Sequence, residues 1–172
     1  MRSIKESFLS STPGILLLFL AIFFTTAVNA QEATAWVTDF SAAKTEAAKE
    51  NKFILLNFSG SDWCGPCIKL RHDILSSSTF LSFAKDHLIL VNADFPRMKK
   101  NKQDKKLEQQ NEQLADQYDK EGKFPFTLLL NKDLKVVKVW DGYPHFSKDE
   151  FSSLPQQFTD QINEIVTANA AH

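Results

Sequence analysis

The chain has two cysteines, and they stand three apart in Trp63-Cys64-Gly65-Pro66-Cys67. Two thiols at that spacing can close into a disulfide and open again, and the thiolate is the nucleophile in the exchange. An apolar run, Phe53-Ile54-Leu55-Leu56-Asn57-Phe58, precedes the pair, and a helical pattern follows from Ile68. A strand that delivers a cysteine to a helix start places its sulfur against unpaired N–H groups and positive partial charge, which favour the thiolate. These residue types in this order describe a dithiol–disulfide redox centre.

Other readings of the pair are weaker. A structural zinc site needs four protein ligands. His72 or His87 would have to supply the rest, and His72, five residues after Cys67 on the same helix, is badly placed to do so. A purely structural bridge closing so small a loop adds little stability. A chain of 172 residues can build a sizeable core and does not need a stapled scaffold. A binding module or chaperone with incidental cysteines would leave a nucleophile and its resolving partner without a use.

The positioning elements follow from periodicity. Residues 53–58 form a buried central strand, 59–62 a loop with Asp62 near the next helix, and 64–75 a helix that tolerates Pro66 in its first turn. Upstream, Trp36, Val37, Phe40, Ala43, Ala47 and Ala48 predict a helix over 31–51. Ser76-Ser77-Ser78 breaks the pattern before a short helix over 79–85, and residues 88–93 form the next strand. Residues 97–106 hold six basic side chains and one acidic. A charge run of this kind is ordinarily a solvated loop and helix start; the sharper reading is a docking patch for an acidic partner or a membrane surface. A helix over 107–118 follows, then residues 123–130 read as loop, proline and strand, with a partner strand over 134–140. A final helix over 147–168 opens on a capping box at Ser147-Lys148-Asp149-Glu150, with Pro155 expected to bend or split it. A βαβ half followed by a ββα half predicts an α/β fold, a mixed sheet of four to five strands with helices on both faces.

Composition agrees. Hydrophobic residues make up 43% and charged residues 24%, ordinary for a globular domain, and a formal net charge of −1 offers no basic field for nucleic acid. Arg2 and Lys5, an apolar core over 15–24 and Val28-Asn29-Ala30 read as a secretory signal cleaved after Ala30. Residues 31–172 would then be an exported domain without stable membrane insertion, in a compartment where disulfides persist. No Gly-rich phosphate loop appears, and no nucleotide or metal cofactor is implied. Trp36 and Trp140 read as core aromatics; His87, His145 and His172 read as packing or surface residues.

Several of these features together resemble the thioredoxin superfamily. They are Trp63-Cys64-Gly65-Pro66-Cys67 with the strand before it, Asn92-Ala93-Asp94, Phe124-Pro125-Phe126-Thr127 opening a hairpin, and Gly142 closing it. The resemblance covers about residues 34–168, and the Gly-Ser-Asp-Trp-Cys lead-in is most similar to exported thioredoxin-like proteins of bacteria. It implies a thioredoxin-like fold and a thiol–disulfide oxidoreductase, periplasmic or secreted, acting as a monomer on protein thiols and disulfides with a separate redox partner. Cys64 would be the exposed attacking cysteine and Cys67 the buried resolving one, joined in a redox-active disulfide. Trp63, Gly65 and Pro66 would complete the loop. Pro125 would be cis and face the pair, and Phe124 would meet substrate. Gly65-Pro66 resembles the reducing members, which favours a reductase over an oxidase or isomerase.

The sequence departs from that pattern in three places. Asn57 takes the position of the buried aspartate that handles the resolving cysteine's proton, with a one-residue loop insertion allowed. Leu90 matches the lysine that accompanies that aspartate. Asparagine cannot titrate, so water or Asp62 would have to substitute. The third departure is the basic insertion, about residues 96–106.

Overall fold

The computed structural model describes residues 36–146 and 154–170. Its centre is β1 (Phe53–Ser59), whose side chains alternate between two cores. Ile54, Leu56 and Phe58 enter one core and Leu55 the other, and all four are fully buried. A strand buried on both faces reads as a continuous apolar run because each side of the pleat meets a packed layer.

β1 pairs in parallel with β2 (Leu88–Asp94) and antiparallel with β3 (Phe126–Leu130); β3 pairs antiparallel with β4 (Val136–Asp141). The order is β2-β1-β3-β4. One face carries α1 (Phe40–Glu50) and α4 (Lys105–Tyr118) through Phe40, Ala43, Ala47 and Leu114. The other carries α2 (Gly65–Leu70), α3 (Ser78–His87) and α5 (Leu154–Ala170). This is the mixed sheet with helices on both faces that the apolar pattern predicts.

Four local expectations change. The helix predicted over 31–51 begins only at Phe40, because the Asp39 carboxylate caps it by accepting the N–H groups of Ser41 and Ala42. Val37 instead makes a parallel bridge to Val91 on the sheet edge, donating its N–H to Leu90 O at 2.7 Å. Its apolarity serves a strand and mimicked a helical repeat. The helix predicted over 64–75 leaves α geometry after Leu70 and finishes as a π-helical turn, Arg71–Leu75, in which Ser76 N–H reaches Arg71 O at 2.9 Å. The helix predicted over 107–118 starts earlier, at Lys105, because Asp104 caps it by accepting Leu107 N–H. Pro155 lies in the first turn of α5, where its missing N–H has no helical partner to lose. The expected leader and the capping box at 147–150 lie outside the described residues.

Trp140 is a core aromatic as expected, 6% exposed, with its indole N–H donated to Gln161. Trp36 is half-buried at the margin of the same core. Phe158 on α5 is fully buried, with ring centroids 4.8 Å from Trp140, 5.9 Å from Phe80 and 6.4 Å from Phe146. Phe158→Ala should therefore cost about 3–5 kcal/mol, seen in urea unfolding as a lower midpoint at unchanged slope. A loss below about 1 kcal/mol would contradict α5 as the cover of this face.

Candidate active site

The chain leaves β1 at Ser59 and turns through Gly60, whose carbonyl accepts the N–H groups of Trp63 at 3.3 Å and Cys64 at 2.9 Å. Gly60 has no room for a side chain: a Cβ there would lie 2.6 Å from Trp63 Cζ2 and Nε1. Cys64 is then the N-cap of α2, and its Sγ accepts Cys67 N–H at 3.2 Å. Gly65 and Pro66 occupy the exposed first turn. Cys64 and Cys67 are joined by a disulfide with 5.2 Å between their Cα atoms. The expected contrast between an exposed and a buried cysteine is absent, at 5% and 4% exposure.

The Phe124–Pro125 peptide bond is cis, and Pro125 is buried. Its carbonyl accepts Gly142 N–H at 2.9 Å; Gly142, at φ +79°, turns the chain out of β4 in a conformation that favours glycine. The Phe124 ring meets Trp63 edge to face at 5.3 Å and Phe95 at 5.4 Å. Trp63 also donates its indole N–H to Phe95 O at 2.7 Å. The loops after β1, after β2 and before β3 therefore meet in one aromatic cluster beside the disulfide.

Asn57 is 5% exposed and forms the middle of a neutral hydrogen-bond ladder across three strands. Thr127 O–H donates to Asn57 Oδ1 at 2.9 Å, and Asn57 Nδ2 donates to Asn92 Oδ1 at 2.9 Å. Asn92 stands opposite Asn57 in register, while Leu90 is buried in the apolar core. The ladder contains no group that titrates in the physiological range. A cleft of about 270 Å³ opens beside Cys67, lined by Ser59, Ser61, Ile68, Arg71, His72 and Ser76.

Asp62 is committed elsewhere. Its Oδ1 accepts Arg97 N–H at 2.9 Å, and its Oδ2 accepts Met98 N–H and Asn101 Nδ2, each at 2.9 Å. The Arg97 N–H in particular holds its carboxyl below the ordinary value of 3.8. A carboxylate stabilised in this way makes a poor proton acceptor, so the relay role considered for Asp62 is corrected to a clamp on the basic insertion. The Arg97 guanidinium completes the clamp by lying 3.6 Å from the Trp63 ring centroid. Asp94 fastens the other side of the loop, accepting Ser61 N–H at 2.8 Å and Ser61 O–H at 2.6 Å.

Two supports escaped sequence reasoning. Asp119 at the end of α4 is 4% exposed, and its Oδ1 accepts Lys123 N–H, steadying the chain just before Phe124. Burial raises its pKa. Asp73, in the π-helical turn, pairs with Lys69 and accepts the Tyr143 hydroxyl at 2.9 Å, tying α2 to the segment after β4. His72 is turned to Asp73, with Nδ1 2.9 Å from its Oδ1. A helix-borne aspartate gives no sequence signal of its own.

A disulfide at a helix start, a cis proline and a β2-β1-β3-β4 sheet define a redox protein fold of the thioredoxin type. The chain belongs to the thioredoxin-like family, whose model matches residues 35–132. Over 98 residues it is 40% identical to the disulfide bond reductase DsbH of Chlamydia pneumoniae, covering 57% of each protein. It is 26% identical over 141 residues to the thioredoxin-related protein DsbJ of the same organism, covering 80% of this chain and 40% of DsbJ. The chain thus spans little more than half of the first relative's length and less than half of the second's. Among solved structures, a DsbH oxidoreductase superposes with a TM-score of 0.66 at 29% identity, covering 78% of this chain and 85% of that one. A thioredoxin from Thermus thermophilus shares the fold, with a TM-score of 0.55 at 12% identity, over 77% and 87%.

The Asp62 clamp has a definite pH signature. Its folded-state pKa lies below 3.8, so its contribution is fully present above that value and is lost as the pH falls through the folded-state pKa. The Arg97 and Met98 amide resonances should share one transition below pH 3.8, and Asp62→Asn should abolish it. An identical transition in the variant would contradict the assignment.

Proposed function

We propose that this chain is an exported thiol–disulfide oxidoreductase that reduces disulfides in other proteins through Cys64 and Cys67. The observation that carries the reading is the Cys64–Cys67 disulfide on the N-cap of α2, beside a cis-proline loop. The similarity to a protein named disulfide bond reductase supports the direction. Export rests on the leader at residues 1–30, with residues 31–172 as the working domain.

In the dithiol form, Cys64 Sγ keeps the Cys67 N–H that it accepts in the disulfide, and this favours its thiolate. The thiolate attacks one sulfur of a substrate disulfide; an S–S bond forms to Cys64, and the other substrate sulfur leaves as thiolate and takes a proton. Cys67 then loses its proton and attacks Cys64 Sγ. The second substrate thiol is released, and the 64–67 disulfide returns. Substrate gains two electrons and two protons, and the protein dithiol loses them. With Asn57 neutral and Asp62 clamped, water in the cleft at Cys67 takes the resolving proton. Trp63 and Phe124 form the aromatic rim that meets the substrate, and the backbone at Pro125 aligns its chain. A separate electron donor resets the pair.

Trapping tests the assignment of roles. Cys67→Ser, reduced and mixed with a disulfide-bonded protein, should accumulate a covalent adduct that dithiothreitol cleaves; Cys64→Ser should form none and lose turnover. Full function of Cys64→Ser in vivo, despite lost turnover in vitro, would favour a binding module over an enzyme.

A further inference from the structure

The basic insertion is held against the redox centre by the clamp from Asp62 and by the stacking of Arg97 on Trp63. Trp63 immediately precedes Cys64, so the insertion is anchored one residue from the reacting pair. The segment carries Arg97, Lys99, Lys100, Lys102, Lys105 and Lys106, all exposed. The carboxylates in direct contact with it or within it are Asp62, Asp104 and Glu108. With Asp39, which faces Lys106, counted as well, the patch keeps an excess of two positive charges on a chain whose formal net charge is −1.

Those carboxylates are committed within the fold. Asp62 clamps the insertion, Asp104 caps α4, and Glu108 sits 3.8 Å from Lys102. Lys106 lies within electrostatic reach of Asp39. Lys99, Lys100 and Lys105 have no acidic partner among the described residues. Asp94 and Glu112 line the cleft behind Arg97, and Lys99 and Lys100 do not. Beside these lysines Met98 stands 48% exposed, an adaptable apolar contact. Ile68, on the other flank of the disulfide, is 50% exposed.

We propose that residues 96–106 are a docking strap that selects protein disulfides flanked by carboxylates, with Lys99 and Lys100 making the charge contact. The proposal rests on the oxidoreductase reading above. A membrane surface fits less well, because a segment fixed to the redox loop with one exposed apolar side chain offers no amphipathic face to insert.

Two disulfide-linked peptides, alike except for Glu in one and Gln in the other beside the cysteine, test this against the dithiol protein. Hydroxyethyl disulfide, small and uncharged, reports turnover itself. At low ionic strength kcat/KM for the acidic peptide should exceed that for the neutral one by roughly five- to ten-fold, and the ratio should fall toward one in about 1 M salt. K99E/K100E should bring the low-salt ratio to one or below, while the equal charge change K132E/K135E on the β3–β4 turn should preserve it. Turnover of hydroxyethyl disulfide with equal peptide rates at low salt would overturn the strap and leave the oxidoreductase reading standing. No turnover of any disulfide would overturn both. Binding to anionic vesicles through Lys99 and Lys100, without preference between the peptides, would replace the strap with a membrane contact.

Discussion

The structure depends on one placement: the Cys64 sulfur must meet the first N–H groups of α2 while its strand stays buried on both faces. The N–H of Cys67 reaches that sulfur directly. Since β1 is the central strand, with β2 on one side and β3 on the other, its end cannot drift without disturbing both neighbours. Rigidity in the sheet thus becomes precision at the sulfur. Gly60 adds a local condition, because only a residue without Cβ lets the Trp63 ring fold back over the turn.

Trp63 is the second point of convergence. Its indole N–H is bonded to Phe95, its ring meets Phe124, and Arg97 lies on it. Loops from three places in the sequence are joined there, so the redox loop, the cis-proline loop and the basic insertion share one support. An insertion that reads as a solvated excursion is in this way part of the site's wall. Its charge sits beside the redox loop, on which Arg97 is stacked.

Much of this was legible because it is local. The apolar run of β1, the spacing of the cysteines and the proline before Phe126 are neighbour patterns, and the fold follows from their order. Long-range pairing was not legible. Asn57 could be identified as the departure from an acid, but its partners Asn92 and Thr127 come from strands 35 and 70 residues away. Register, not spacing, selects Asn92 over Leu90. Val37 misled because an apolar residue at a sheet edge and one on a helix face look alike in sequence. Asp62 looked available because nothing local shows that its oxygens are filled from residues 97, 98 and 101.

Direction of electron flow follows from the balance between disulfide and dithiol. In the disulfide the pair is closed on the first turn of α2, with the Cys67 N–H on the Cys64 sulfur. The ladder at Asn57 is neutral and brings no buried charge of its own. Equilibration of the 64–67 pair with a glutathione buffer measures it most directly. A reductase should give a potential near about −270 mV, and a value near about −120 mV would contradict that account and make the protein an oxidant.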